Sequence, residues 1–175
     1  MEIVVSPLSD RHLRQGFCCG IDSLDEYLVR YASQDRKRNV SRVFVATSAD
    51  SPEVTVGYYS LSAGSIGAES LPVEYIRRLP RYPVPVAILG RLAVGVAFQK
   101  QGLGALLLVD ALKRVQQASQ TLAVFAVVVD AIDDHASEYY RQFGFLPFPR
   151  QPKRLFLPLD TITGLIAPGE SSEQP

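Results

Sequence analysis

Net charge, cysteine and histidine are all scarce in this chain, and each shortage narrows what it can do. The 18 Lys and Arg residues are balanced by 18 Asp and Glu, so no global field draws in a polyanion. Any nucleic-acid contact must then come from local clusters. The only cysteines, Cys18 and Cys19, are adjacent. Such a pair builds neither a disulfide framework nor a metal-ligand set, so both are expected as small apolar fillers and no metal is expected. The two histidines, His12 and His135, have no partner at a catalytic or ligating spacing and are expected at the surface or in ordinary hydrogen bonds. Ser60, Ser62 and Ser65 do not form the G-x-S-x-G elbow of a hydrolase nucleophile. No apolar run approaches the roughly 18 residues a membrane helix needs, and "MEIVVSPLSDRHLRQ" lacks the layout of a signal peptide. The expectation is a cytoplasmic protein with no membrane partner.

What is present is globular. With 175 residues, 47% hydrophobic and 21% charged, the chain suits one domain around one core. That domain is expected over residues 1–165, with 166–175, mostly small or polar, as a disordered tail. "IDSLDEYLVRYASQD" carries Ile21, Leu24, Leu28 and Tyr31 at helical spacings, with Asp22 or Ser23 as a cap. "VSRVFVATS" and "EVTVGYYSLSAGSI", joined by the turn chemistry of "SADSPE", predict an antiparallel pair. "LPVEYIRRLP" predicts a short helix closed by Pro80, and "RYPVPVAILGRLAV" an extended run through Ala87 to Val94. "GALLLVDALKRVQQASQ" is apolar at nearly every helical neighbour position, as in a helix buried over much of its surface. "TLAVFAVVVDA" predicts a central strand, "DHASEYYRQFGF" a helix ended by Gly144, and "LPFPRQPKRLFLPL" a closing strand. The fold class is mixed α/β around a single sheet.

Between the strand ending in "RLAV" and the long helix lies "FQKQGLGALLL", with Gln99, Gly102 and Gly104 in the pattern Q-x-x-G-x-G. Glycines here let the backbone approach a ligand, and the following helix offers unpaired N–H groups and the positive end of its dipole. Phosphate is the natural guest. The dinucleotide pattern G-x-G-x-x-G and the nucleoside triphosphate loop G-x-x-x-x-G-K-[ST] are both absent. The triple alone is also compatible with an ordinary turn.

Its flanks distinguish the two. "ILGRLAV" before the loop, "LLLVDAL" after it, "VVVDAIDDHASEYYRQFGFLPFP" downstream and "LDEYLVRYASQD" upstream resemble, in this order over about residues 15 to 160, the GNAT N-acetyltransferases. "GYYSLSA", "LPRYPVPVAILGRLAV" and "EYYRQFGF" further resemble the acetyltransferase toxins of type II toxin-antitoxin pairs, which acetylate the α-amine of aminoacyl-tRNA. Two positions depart from that pattern: Gly95, where an acid is expected, and Lys100, where glycine is frequent. The resemblance implies a GNAT fold, a central mixed sheet with a V-shaped split between two parallel strands, flanked by helices. It implies acetyl-CoA as donor, with main-chain groups of Leu92, Ala93 and Val94 holding the pantetheine arm and thioester carbonyl. Gln99, Lys100, Gln101, Gly102, Leu103 and Gly104 would wrap the pyrophosphate. Tyr140 matches the family's tyrosine near the sulfur and is the candidate general acid. Tyr139, about 100° away around the helix, is expected in packing or at the surface.

No histidine or evident carboxylate follows "RLAV" to act as a base. An α-amine with a pKa of about 7.7 to 8.0, lowered further by esterification to tRNA, has an appreciable neutral fraction, whereas a lysine amine at about 10.4 needs more help. The basic clusters Arg36, Lys37, Arg38 and Arg42, and Arg77, Arg78 and Arg81, are the candidates for contacts to tRNA phosphates. The resemblance also implies a ribbon-helix-helix antitoxin as partner and a homodimer. Acetylation of a protein N-terminus or small amine, and a non-catalytic acetyl-CoA-binding regulatory module, are the alternatives.

Overall fold

The computed structural model describes residues 1–166. Seven strands form one mixed sheet in the order β1-β2-β3-β4-β5-β7-β6. They are β1 (Ile3–Pro7), β2 (Arg42–Ser48), β3 (Ser51–Ile66), β4 (Val84–Val94), β5 (Ala126–Asp130), β6 (Leu146–Phe148) and β7 (Gln151–Pro158). β4 and β5 run parallel. The helices are α1 (Asp22–Glu26), α2 (Ala32–Lys37), α3 (Val73–Ile76), α4 (Leu103–Ala118), α5 (Asp134–Gln142) and α6 (Leu159–Ile166). The expected α/β class and the order of its main elements are those found. No described helix is long and apolar enough to cross a membrane.

The described residues fall into two compact units, with β3, β4 and α4 each contributing to both. The first holds Met1–Ser62 and Leu89–Ala111. In it β1 pairs antiparallel with β2, from Ile3 opposite Ser48 to Pro7 opposite Phe44. β2 pairs antiparallel with β3, and shifts of register at Ala46/Thr47 and Thr47/Ser48 bring Ser48 opposite Ser51. Its core gathers Leu24, Leu28, Val43, Val45, Tyr58 and Ala93 with their neighbours.

α1 and α2 are joined by a π-helical turn, Tyr27–Tyr31, in which Ala32 N–H donates to Tyr27 C=O, one residue beyond the α pattern. The extra residue rotates everything after it by about 100°. Tyr27 is therefore buried at 4% exposure and Ala32 at 0%, while Tyr31, expected inside, is 48% exposed. Neither Asp22 nor Ser23 caps the helix; the N-cap is Ile21, with no side-chain bond. The nearby carboxylate in use is that of Asp25, which accepts from Cys19 N–H at 2.8 Å. α2 ends with Asn39 at φ +58°, a left-handed conformation that Asn tolerates.

The second unit holds Ala63–Ile88 and the chain from Leu112 onward. β5 pairs antiparallel with β7, Ala126 opposite Pro158. Its four apolar residues are all buried, the mark of a strand covered on both faces. The core gathers Ile66, Leu71, Val86, Val128, Phe148 and Phe156 with their neighbours. α5 opens with the Asp133 carboxylate accepting from Ala136 N–H at 2.7 Å and closes at Gly144, φ +94°. Ile166, placed in the expected tail, instead ends α6, and positions 167–175 lie outside the described residues. β1 and α6 are elements the sequence patterns do not announce. α4 buries Leu103, Leu107, Leu108, Ala111, Leu112 and Val115, but Leu106 and Val109 are 41% and 38% exposed, so less of its surface is covered than its composition suggests.

Candidate active site

The predicted phosphate loop begins where β4 ends. Ala93 is buried at 4% exposure and Leu92 and Val94 are half-buried, so their side chains are packing elements. Val94 C=O accepts from Gln99 Nε2 at 2.9 Å, and the same nitrogen donates to Cys19 C=O at 2.8 Å. One side-chain amide thus ties the end of β4 to the segment before α1, and Gln99 acts as a brace. Gln101 Nε2 likewise donates to Ala97 C=O at 3.1 Å.

Lys100 has φ +60° and Gly102 φ +84°. A left-handed backbone costs an L-residue roughly 1 to 2 kcal/mol, which explains why glycine suits position 100 and shows that Lys100 carries a strain glycine would not. A Cβ on Gly102 would meet open space, so that glycine is required by its backbone conformation. Gln101 stands between two left-handed residues, and alternating backbone handedness is the pattern from which anion-binding concavities of successive N–H groups are built. α4 starts immediately, at Leu103, with its first-turn N–H groups lacking intrahelical acceptors. At Gly95 a Cβ would stand 3.2 Å from Val56 C=O, while Gly95 N–H donates to that same carbonyl at 2.9 Å. The acid expected there would crowd the β3 backbone. The loop thus combines left-handed backbone at two positions, the start of α4 and the exposed Lys100, features that an anion can use.

In the second unit Tyr140 lies on α5, 7% exposed, its ring 5.5 Å from that of Phe145 and 5.6 Å from that of Tyr139. Burial, with a smaller contribution from Tyr139, raises its pKa above the ordinary tyrosine value. Its hydroxyl keeps its proton at neutral pH, so it can donate a hydrogen bond but acts only as a very weak acid. Tyr139 is half-buried and packs its ring 5.1 Å from Phe143, the packing role expected of it.

The basic candidates divide. Arg36 donates to Leu8 C=O at 2.8 Å and to Asp10 at 2.8 Å, so its guanidinium ties α2 to the segment after β1. Lys37, Arg38 and Arg42 are exposed in the first unit, and Arg77, Arg78 and Arg81 in the second. Arg78 lies 5.6 Å over the Tyr75 ring. The remaining basic segment, "PRQPKR", is partly neutralised by Lys153–Asp134 at 3.9 Å and Arg154–Asp130 at 3.7 Å.

Of the other candidates, His12 is buried at 3% exposure, its Nδ1 accepting from Ser9 N–H at 2.9 Å. Burial, then the charges of Arg11 and Arg36, lower its pKa. His135 is exposed. Cys19 is the expected buried filler, its thiol pushed up to about 11, chiefly by burial. Cys18 is exposed, contrary to expectation, because its side of the segment forms one wall of a cleft of about 510 Å³ with Leu13, Val54, Val96 and Phe98.

One feature escapes sequence reasoning altogether. Arg91, next to Leu92, has its Cζ 3.5 Å from the centroid of the Tyr27 ring. The π turn that brings Tyr27 to this place leaves no signal in a periodicity count, although the pairing of a buried Tyr27 with an exposed Tyr31 is what an inserted residue produces.

Comparison with known proteins agrees with this geometry. The acetyltransferase (GNAT) domain profile matches residues 75–154. A tRNA-acetylating toxin of Mycobacterium tuberculosis is 37% identical over 159 residues, 91% of this chain and 93% of that protein. The structure of AtaT complexed with acetyl-methionyl-tRNAfMet superposes with a TM-score of 0.87 at 25% identity, covering 95% of this chain and 100% of that one. A tyrosine-to-phenylalanine mutant of AtaT, bound to the C-terminus of the antitoxin AtaR and to acetyl-CoA, gives 0.81 at 25% identity, over 95% and 99%. With a relative this similar over nine-tenths of its length and the acetyltransferase domain matched over residues 75–154, the chain belongs to the GNAT acetyltransferase family.

Proposed function

We propose that this protein is an N-acetyltransferase toxin that moves the acetyl group of acetyl-CoA to the α-amine of aminoacyl-tRNA, blocking translation until a cognate antitoxin neutralises it. The observation that carries the reading is the braced loop after β4, with left-handed Lys100 and Gly102 opening onto α4. The similarity to a tRNA-acetylating toxin supports the acceptor. Acetyl-CoA, when bound, supplies an activated thioester. Main-chain N–H groups of Lys100, Gln101, Gly102, Leu103 and Gly104 take the pyrophosphate, with the Lys100 ammonium adding charge. Gln99 holds the loop in shape, and main-chain groups of Leu92, Ala93 and Val94 position the pantetheine arm.

Tyr140 donates a hydrogen bond to the departing sulfur. Its raised pKa makes complete proton transfer to a thiolate of pKa about 8.5 uphill, so the stabilisation is that of a hydrogen bond to developing charge. The acceptor amine arrives partly neutral and needs no strong base. Lys37, Arg38 and Arg42, with Arg77, Arg78 and Arg81, contact tRNA phosphates in this reading. It also takes the protein as a cytoplasmic homodimer whose antitoxin is of the ribbon-helix-helix class.

The test incubates the protein with labelled acetyl-CoA and bulk charged tRNA, then identifies the labelled amino acid. Label in an N-acetyl-aminoacyl ester is expected, and its yield should fall steeply with salt. Label confined to proteins or small amines removes the tRNA assignment, and absence of any transfer removes the enzyme.

A further inference from the structure

Arg91 is unusual among the charged residues. It is half-buried on β4, and among the described residues no carboxylate lies within ion-pairing distance of it. At 3.5 Å from the Tyr27 centroid, the guanidinium must lie flat on the ring, since an edge-on approach would overlap. Its in-plane N–H groups then point sideways, away from the aromatic face, and among the described residues none of them has a hydrogen-bond acceptor.

The plate beneath it is fixed. Tyr27 Oη donates to Asp35 at 3.0 Å, and the Tyr27 ring stacks on Tyr58 at 6.2 Å and 22°. Tyr58 Oη in turn donates to Leu24 C=O at 2.7 Å. Tyr27 and Tyr58 are thus each held by a hydrogen bond and stacked on one another, and the Arg91 guanidinium lies against this fixed pair. Strand alternation puts Arg91 on the same face of β4 as Ala93, within the cluster that holds Tyr27 and Tyr58, and one residue before the main chain proposed to carry the pantetheine arm.

We propose that Arg91, held flat on Tyr27, is the residue that grips a phosphodiester of the acceptor RNA next to its aminoacylated 3′ end. The inference rests on the tRNA reading above and adds to it a specific anion site. A guanidinium fork matches the two non-bridging oxygens of a phosphodiester, and phosphate is the one anion an aminoacylated RNA end carries whichever amino acid is attached. Cation–π contact holds the charge in place without neutralising it, as a carboxylate would.

The test measures binding of a labelled RNA oligonucleotide ending in CCA, made with native linkages or with a neutral methylphosphonate at the 3′-terminal linkage. The wild-type protein is expected to prefer the native linkage about tenfold. Arg91→Met, which keeps an apolar stem on Tyr27, is expected to abolish the preference, and Arg91→Lys to keep only part of it. Both variants should retain acetyl-CoA affinity and thermal stability near wild type. If the methionine variant does not fold, the lysine variant decides: its preference must fall at least threefold. The site is overturned if wild type ignores the linkage, if a variant keeps the full preference, or if both oligonucleotides weaken equally. It is also overturned if polyglutamate competes as well as RNA of equal charge, which would indicate an acidic polypeptide. If the preference is present and depends on Arg91 but charged tRNA is not acetylated, the acceptor assignment falls and the phosphate site stands. Acetylation of charged tRNA with an unchanged KM in Arg91→Met removes the phosphate site and leaves the acceptor assignment standing.

Discussion

Replacing Tyr140 by phenylalanine removes one oxygen and little else. The ring is 7% exposed and packs edge-to-face on Phe145 and Tyr139, contacts that phenylalanine repeats. Stability should therefore change by less than about 1 kcal/mol, about 2 to 4 °C in Tm for a chain of this size. The catalytic loss is of another order, because one preorganised donor to developing charge contributes about 100- to 1000-fold in kcat. Burial raises the Tyr140 pKa, so the hydroxyl stays protonated from pH 6 to 9 and the ratio of wild-type to variant kcat should be flat across that range. The assay is acetyl transfer to charged tRNA at saturating acetyl-CoA, with KM for acetyl-CoA measured in parallel and expected within about threefold of wild type. A kcat loss below about threefold, or one that disappears toward either end of the pH range, refutes the donor role. A large fall in Tm with unchanged kcat per folded molecule would make Tyr140 a packing residue.

Lys100→Gly should relieve left-handed strain of about 1 to 2 kcal/mol against an unfolded-state entropy gain of about 0.4 to 1 kcal/mol. The Tm is expected unchanged or slightly raised in a melting curve, while acetyl-CoA affinity falls severalfold by titration. Gln99→Ala removes the donor that serves both Cys19 and Val94 carbonyls, at about 1 to 3 kcal/mol, and acetyl-CoA binding should weaken with stability in denaturant titrations. Arg36→Ala should destabilise by about 1 to 2 kcal/mol through the lost bonds to Leu8 and Asp10; Lys37→Ala and Arg38→Ala should leave the denaturation midpoint alone and weaken tRNA binding. The His12 pKa is lowered in the folded state, so its contribution is present above its ordinary value near 6.5 and lost as pH falls below it. Tm measured from pH 7.5 to 5 should fall more steeply in wild type than in His12→Gln.

Local chemistry marks itself in a sequence more clearly than its consequences in three dimensions. The hairpin of β2 and β3, the strand β5 and the α5 terminus at Gly144 are legible because β-branched runs, turn residues and a left-handed glycine act over a few neighbours. So is the loop from Gln99 to Gly104, once strand and helix frame it. Tyr31 is misread because helical periodicity assumes a constant pitch, and a π turn changes the pitch without changing composition. Arg36 looks like its neighbours Lys37 and Arg38, and its partners, 26 and 28 residues earlier in the chain, are invisible to any window. The side chain of Gln99 reaches back 80 positions, so the motif glutamine reads as a ligand contact when it is a tie. β1, with Ser6 and Pro7 closing a five-residue stretch, lacks the continuous β-branched run that marks the equally short β5, and α6 is only eight residues long, too short for a helical period to emerge.

The π turn has a consequence for how this chain can vary. The one extra residue of the π turn separates the segment that presents Tyr27 to Arg91 from the segment that sends Arg36 to Leu8 and Asp10. Each half is anchored by its own bonds, so substitutions can accumulate in one without disturbing the angular position of the other. Deletion of one residue there would swing Arg36 by about 100° away from its partners while leaving Tyr27 in place. A chain with an unbroken α pitch here would have to fasten the end of this helix by other means.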